Sequence, residues 1–367
     1  MIQIIANGVE YKDFIEASVT TSLESVANDF TFSASAVGDF PPLREGDAVQ
    51  IKVNSILVLT GFIESINGQV QEGTHIVTYA GRDRTGDFID SQLSVLDDIK
   101  ASNALTLKVI IEKVLAHIGS DLKVVDALNP APFNEAEDII DPEVGSGALN
   151  FIAKYVKKRQ AILSSTAEGD LLVTQSSPSD SSEVVQSLNP GNDNNVIQET
   201  WAINSNALFN RYIHQAQLNP RALNFAGDSV SQNVEDQKGA SSNTTVRTGR
   251  QKVTVEPDSY SAEQLQNRAL WTNQLSRAQA TRYGCTVKGH ETPTGGIWVV
   301  NTLVQINSAA ADVNRKMLLS SATFTQGEGK PTLTALQFVE KDVYTINQQL
   351  LSQKPVGSLN DAFKALG

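Results

Sequence analysis

The feature that most constrains this chain is a unit of three short strands that the sequence writes twice. Residues 46–83 run strand, turn, strand, turn, strand, as GDAVQIKVNS, ILVLTGFIES and THIVTYAGRD. Residues 301–341 repeat that order and spacing as NTLVQINS, KMLLSSATFT and PTLTALQFVEK. Identity between the copies is low, but matched strand spacing is the mark of a duplicated structural unit. At 367 residues the chain also exceeds what one hydrophobic core holds, which predicts roughly two to four domains.

The first ninety residues read as strands and hairpins throughout. Phe30, Phe32 and Ala34 alternate with Thr31 and Ser33, and Val49, Ile51 and Val53 repeat the pattern, so each strand has one apolar face. Asn7-Gly8, Asn54-Ser55 and Asn67-Gly68 mark tight turns. The run Ile56–Ile63 is continuously apolar, as expected of a strand covered on both faces. Such strands with regular turns predict a barrel or sandwich, and the repeat predicts two related barrels separated by inserted material.

The inserted material has its own signals. Leu107, Ile110, Ile111, Val114, Leu115 and Ile118 fall at helical spacing, with Thr106 as cap and Gly119 as terminator. A second helix carries Leu149, Ile152, Ala153 and Val156, then a hairpin turns at Glu168-Gly169-Asp170. The polar stretch 226–250 reads as an exposed loop, and a helix from Ser261 to about Tyr283 follows, with Gly284 behind it. The expected fold is therefore mainly β with α+β: two related β-barrel domains, a small α+β domain and a long inserted helix. The expected boundaries are 1–90 for the first barrel, 91–180 for the α+β domain, 185–225 with 285–345 for the second barrel, 226–284 for the insertion and 346–367 for a tail.

Composition removes several classes of function. No run of residues approaches the roughly 20 apolar positions of a membrane helix, so no membrane insertion is expected. The start, MIQIIANGVEY, lacks a signal peptide's basic region, which predicts synthesis and assembly in a cytoplasm. Cys285 is the sole cysteine and the four histidines are far apart, so neither a disulfide nor a cysteine-based zinc site is expected. The net charge of −12 disfavours gripping a phosphate backbone. The one basic run, Lys157-Lys158-Arg159, ends a predicted helix, where cations offset the dipole.

Catalytic and metal signatures are weak. Ser146 lacks the flanking glycines of a nucleophile elbow, and the glycines near Lys330 miss the phosphate-loop spacing. Glu135, Glu137, Asp138, Asp141 and Glu143 are dense but lack calcium-loop order, which leaves a solvated acidic loop. His290-Glu291 has no second histidine at zincin spacing and reads as loop polarity. No cofactor and no enzymatic activity are expected. Arg82 is expected to pair with Asp83 or Asp87 and order the barrel exit, and Leu359, Phe363 and Leu366 line one side of a short tail helix that could dock on a neighbour.

GDAVQIKVNSILVLTGFIESI followed by VTYAGRDRTGDFIDSQL resembles the first barrel of contractile-tail baseplate hub proteins. The nearest likeness is to hub subunits of Mu-like bacteriophages; the T-even hub and the N-terminal part of type VI secretion spikes are more distant. The family's small residue and aromatic stand here as Gly61-Phe62, and its closing motif as Gly81, Arg82, Asp83 and Asp87, with Phe88 where many members carry leucine. GCTVKGHETPTGGIWVVNTLVQI, preceded by a helix with Arg268, Trp271 and Arg282, resembles the family's entry to a second barrel.

The resemblance implies a structural homotrimer in a virion baseplate. Three chains would give a pseudo-six-fold ring that meets the six-fold tail tube or adjacent baseplate proteins on one side and a three-fold spike protein on the other. DNA would pass through without specific binding. The competing class is a carbohydrate-binding or host-adhesion tail module, but aromatics are only 6%, and most sit at strand positions that read as buried.

Overall fold

The structure, a computed structural model, describes residues 1–11, 14–35, 43–94, 105–133, 143–176, 187–188, 196–217, 231–235, 246–255, 262–341 and 343–344. The chain is mainly β. The first strands are β1 (Ile2–Ala6), β2 (Val9–Tyr11), β3 (Phe14–Ser22), β4 (Asp29–Ser35), β5 (Ala48–Val53), β6 (Ile56–Gln71) and β7 (Thr74–Asp83), followed by helix α1 (Thr85–Asp90). All pair antiparallel, in the order β3-β4-β7-β6-β5-β1-β2. The turn at Asn7-Gly8 forms as expected, both residues at positive φ, and so does that at Asn54-Ser55.

Asn67-Gly68 does not turn. Strand β6 runs on to Gln71, and Glu72-Gly73 makes the reversal, with Gly73 at φ 74°. The local Asn-Gly signal loses to β7, which pairs with β6 through Gln71↔Thr74.

Helices α2 (Leu107–His117) and α3 (Ala148–Lys158) pack on strands β8 (Val124–Asp126), β9 (Ile162–Ser165) and β10 (Leu171–Thr174), as the periodicity predicts. Thr106 caps α2 by accepting from the Val109 amide at 3.3 Å. The α+β unit's core is separate from the main sheet's and includes Phe88 from α1.

After β11 (Ser187–Leu188) comes β12 (Val196–Ile203), then a second small sheet of β13 (Arg211–Gln217), β14 (Ser231–Glu235) and β15 (Gln251–Val255) with helix α4 (Ala262–Ala280). Residues 231–235, expected as loop, form β14, because β13 offers them an edge. The helix stops at Ala280 rather than Tyr283. Tyr283, Cys285 and Val287 alternate into the core as part of β16 (Thr281–Lys288), and Gly284 is a strand residue, not a helix terminator.

The sheet then runs through β17 (Leu303–Ser308), β18 (Val313–Gly327) and β19 (Leu333–Glu340). These five strands repeat the first unit: the order β12-β16-β19-β18-β17 matches β3-β4-β7-β6-β5. Irregularities repeat too. The β6–β7 ladder slips between Ile63 and Ser65, and the β18–β19 ladder between Leu319 and Ser321. The β3–β4 ladder slips between Phe14 and Glu16, and β12–β16 between Val196 and Gln198. A bulge is a specific bend in a strand, so its recurrence at matched positions shows that the repeat is structural.

Among the described residues, the ladders do not close into two barrels. They form one open 13-stranded sheet. The reason is the length of β18: its first half pairs with β17, while its last residues leave that partner and pair with β3 of the other unit, Ser321↔Ser22 to Gly327↔Glu16. One continuous core, from Ile2 and Val19 to Phe324 and Phe338, underlies both units.

Candidate assembly surface

The residues singled out at the exit of β7 lie together, but not as expected. Gly61 and Gly81 face each other's strands so closely that a Cβ would sit 2.0 Å from the Arg82 carbonyl oxygen and 1.9 Å from that of Phe62, respectively. At Gly81 it would also lie 2.9 Å from the ring of Phe30. Only glycine fits such an approach.

Arg82 and Asp83 separate, because successive strand residues point to opposite faces. Arg82 turns outward, with Nε 2.9 Å from Glu64 Oε2 and Nη2 2.7 Å from Glu64 Oε1, and its guanidinium also reaches Asp90. Its partners are thus the bulged residue of β6 and the end of α1, not Asp83 or Asp87. A half-exposed pair of this kind contributes about 0–1 kcal/mol. Asp87 is exposed on α1.

Asp83 is buried, at 2% exposure. Its Oδ2 accepts from the Asn28 amide (2.8 Å) and from the Ser165 hydroxyl, and its Oδ1 from the Thr85 amide (3.1 Å). The Thr85 hydroxyl lies within reach of both Oδ1 and the Val26 carbonyl. Asn28 Nδ2 donates to Ser165 Oγ at 2.8 Å, so this carboxylate ties the first sheet unit to β9 of the α+β unit. Burial pushes the Asp83 carboxyl above its ordinary range, and these hydrogen bonds pull it back.

Two carboxylates that sequence reasoning missed do similar work. Glu199 accepts from Tyr283 Oη and Ser308 Oγ, each at 2.7 Å, joining β12 to β16 and to the end of β17. Glu24 accepts from Nη1 and Nη2 of Arg282, each at 3.0 Å, and from the Tyr344 hydroxyl. Neither has a local sequence signal, since the partners lie 84 to 320 positions away.

His290 is a core residue rather than loop polarity. It is 2% exposed, edge-on to Phe324 at 5.5 Å, with Nδ1 3.0 Å from Thr334 Oγ1. The Thr334 hydroxyl donates to the Gly289 carbonyl, so Nδ1 carries the proton and donates to Thr334. Burial pushes the imidazole down to about 4. A depressed folded value means the neutral ring stabilises the fold above pH 6.5, the unfolded value, and that contribution disappears as pH falls toward 4. Urea denaturation between pH 7 and 4 should therefore lose about 2–3 kcal/mol through this group, and His290→Gln should flatten the profile.

Of the acidic loop, Glu135, Glu137, Asp138 and Asp141 lie outside the described residues, as do Leu359, Phe363 and Leu366 of the tail.

Two strand edges without a second ladder partner among the described residues, β12 and the end of β6, make the remaining distinctive surface. Trp201 and Ile203 on β12 are 48% and 70% exposed, and Val70 near the end of β6 is 73% exposed. At the internal junction of the two units the picture reverses: Val19 of β3 and Ala322 and Phe324 of β18 are fully buried. Large apolar residues on an uncovered strand edge mark a surface built for pairing.

A duplicated strand unit fused edge to edge, with an α+β unit and a helix-bearing insertion, defines a fold shared with tail proteins of phages. Residues 1–83 match the family model described as Mu phage baseplate assembly protein GpP-like, N-terminal. The chain is 23% identical over 330 residues to the baseplate hub protein gp44 of Escherichia phage Mu, covering 87% of this chain and 82% of the relative. Among solved structures, the 43 kDa tail protein of prophage MuSo2 from Shewanella oneidensis superposes with a TM-score of 0.75 at 22% identity, covering 94% of this chain and 99% of that one. The E. coli c3393 protein, a component of the type VI secretion system described as similar to the T4 tail proteins gp27 and gp5, matches at a TM-score of 0.55 and 11% identity, covering 96% and 81%. The resemblance to Mu-like hub subunits read from the sequence is borne out by these matches, with the type VI likeness more remote.

Proposed function

We propose that this chain is a structural hub subunit in the baseplate of a contractile, Mu-like phage or prophage tail. The observation that carries this reading is the duplicated five-strand unit. A chain that presents nearly the same module twice can form a six-module ring from three copies, which lets a three-fold assembly face a six-fold one. We take the expected units at 1–90 and at 185–225 with 285–345 as the two ring modules, with two adjustments from the sheet order: β13 goes to the small insertion sheet, and Thr281–Gly284 of β16 to the second module. The units at 91–180 and 226–284 would then form the three-fold part that receives a spike, while the ring faces the tail tube or adjacent baseplate proteins.

The glycine pair at 61 and 81 and the Arg82 and Asp83 contacts are structural in this reading: they fix the arch of the first module and its junction with the α+β unit. The net charge of −12 supports passage of DNA without capture. The relatives' descriptions as baseplate and tail proteins support a structural rather than catalytic role and a place in the virion tail.

Native mass spectrometry of the purified chain is expected to give a species near three times 39.6 kDa. A monomer at micromolar concentration would sink the ring.

A further inference from the structure

The chain contains a template for joining to another copy of itself. Ladder partners place the second unit on the first residue by residue. Ile63↔Gly81 corresponds to Leu319↔Phe338, Phe30↔Gly81 to Tyr283↔Phe338, and Val19↔Phe30 to Trp201↔Tyr283. The matched bulges hold this correspondence in step on both strand pairs. Trp201 is therefore the counterpart of Val19 and Ile203 of Thr21, while Ile66 corresponds to Ala322 and Gly68 to Phe324.

Within one chain, the end of β18 covers β3 in the register Ala322↔Thr21, Phe324↔Val19 and Gln326↔Ala17. The counterparts of those two strands, the end of β6 and the whole of β12, are left on separate edges. Among the described residues, β6 beyond Phe62 pairs only with β7, and β12 pairs only with β16. Each free edge is thus the complement of the other, and exposed Trp201 stands where the internal junction buries Val19, half-buried Ile66 where it buries Ala322.

We propose that residues 66–71 of β6 in one copy add antiparallel to residues 198–203 of β12 in a second copy, repeating the β18–β3 junction. The register is Ile66↔Ile203, Gly68↔Trp201 and Val70↔Glu199. Gly68 has nothing within 4 Å of where a Cβ would stand, which leaves room beside the Trp201 indole. Because the two edges differ, the contact is head to tail, and such contacts close into a ring or run on as a filament. Strand addition satisfies the outward backbone groups of both edges and buries their apolar side chains. The assignment rests on the ring reading above and specifies which strands join the copies.

Disulfide trapping tests it. Ile66→Cys with Ile203→Cys, and separately Asn67→Cys with Ala202→Cys, place thiols at adjacent opposed positions, one of which is the closer, non-hydrogen-bonded kind. Cys285 is buried and does not compete. Mild oxidation should give a covalent ladder ending at the trimer on a non-reducing gel. Ile66→Cys with Thr200→Cys, three residues out of register, should give none. If native mass shows a trimer but only the out-of-register pair links, or no pair links, the strand assignment is overturned and the ring reading stands. A monomer in native mass overturns both. Hydrogen exchange on the unaltered protein reads the same contact without mutation: outward amides of 66–71 and 198–203 should slow roughly tenfold or more on assembly. Rapid exchange at both segments in the assembled protein overturns the pairing.

Discussion

Gly81→Ala is expected to destabilise the protein by about 3 kcal/mol or more, a large fraction of a domain's stability. The added methyl would stand 1.9 Å from the Phe62 carbonyl oxygen and 2.9 Å from the Phe30 ring. A backbone oxygen in a ladder cannot step aside as a flexible side chain can, so β6 and β7 must part where the bulge already bends them. The second unit shows the alternative solution: Phe338 stands at the corresponding position, its ring 6.1 Å from that of Tyr283. Gly296→Ala, where the nearest outside atom would be Thr292 Oγ1 at 3.7 Å, should stay within about 0.5 kcal/mol. Equal losses for both variants in chemical denaturation would show that the close approach at Gly81 is not what matters.

Asp83→Asn should cost about 2–4 kcal/mol despite its near-identical shape. Each carboxylate oxygen faces a backbone amide, from Asn28 on one side and Thr85 on the other. An asparagine supplies one acceptor and one donor, so whichever way the amide flips, an N–H meets an N–H in a buried site. The loss should appear as separation of the α+β unit from the first sheet unit, because Asn28, Asp83 and Ser165 span that boundary. The pH dependence has a definite sign. Since burial raises the Asp83 carboxyl, its protonated form favours the fold, and that contribution is present in acid and lost as pH rises through the folded value. A variant as stable as the parent from pH 4 to 8 would remove the proposed role.

Much of the fold was readable from residue order because it rests on local rules. The turn at Asn7-Gly8, the Thr106 cap and the alternating strands each depend on neighbours a few positions apart. The duplicated unit was legible for the same reason, as a succession of strands and turns. Two of the differences share one cause, a distant partner overriding a local signal. Asn67-Gly68 stays in a strand because β7 holds it, and the helix after Ser261 ends early because β12 and β19 recruit Tyr283 into the sheet. The partners of Arg82 were misjudged because the choice lay with the pleat, which sends Arg82 and Asp83 to opposite faces. The free edges of β6 and β12 had no sequence signature apart from unremarkable apolar residues. They became visible only when the internal β18–β3 junction showed what a covered edge looks like.

That junction also sets a clock. Strand β3 pairs with residues roughly 300 positions further along the chain. At ribosomal speeds of about 5–20 residues per second, its edge waits about 15–60 s for its partner to be made. During that interval the nascent chain offers a bare strand that the incoming β18, or a neighbouring nascent chain, could fill. Cells that produce many copies at once therefore face a contest between self-completion and entanglement, and the yield of usable subunits should depend on how densely ribosomes are spaced along the message.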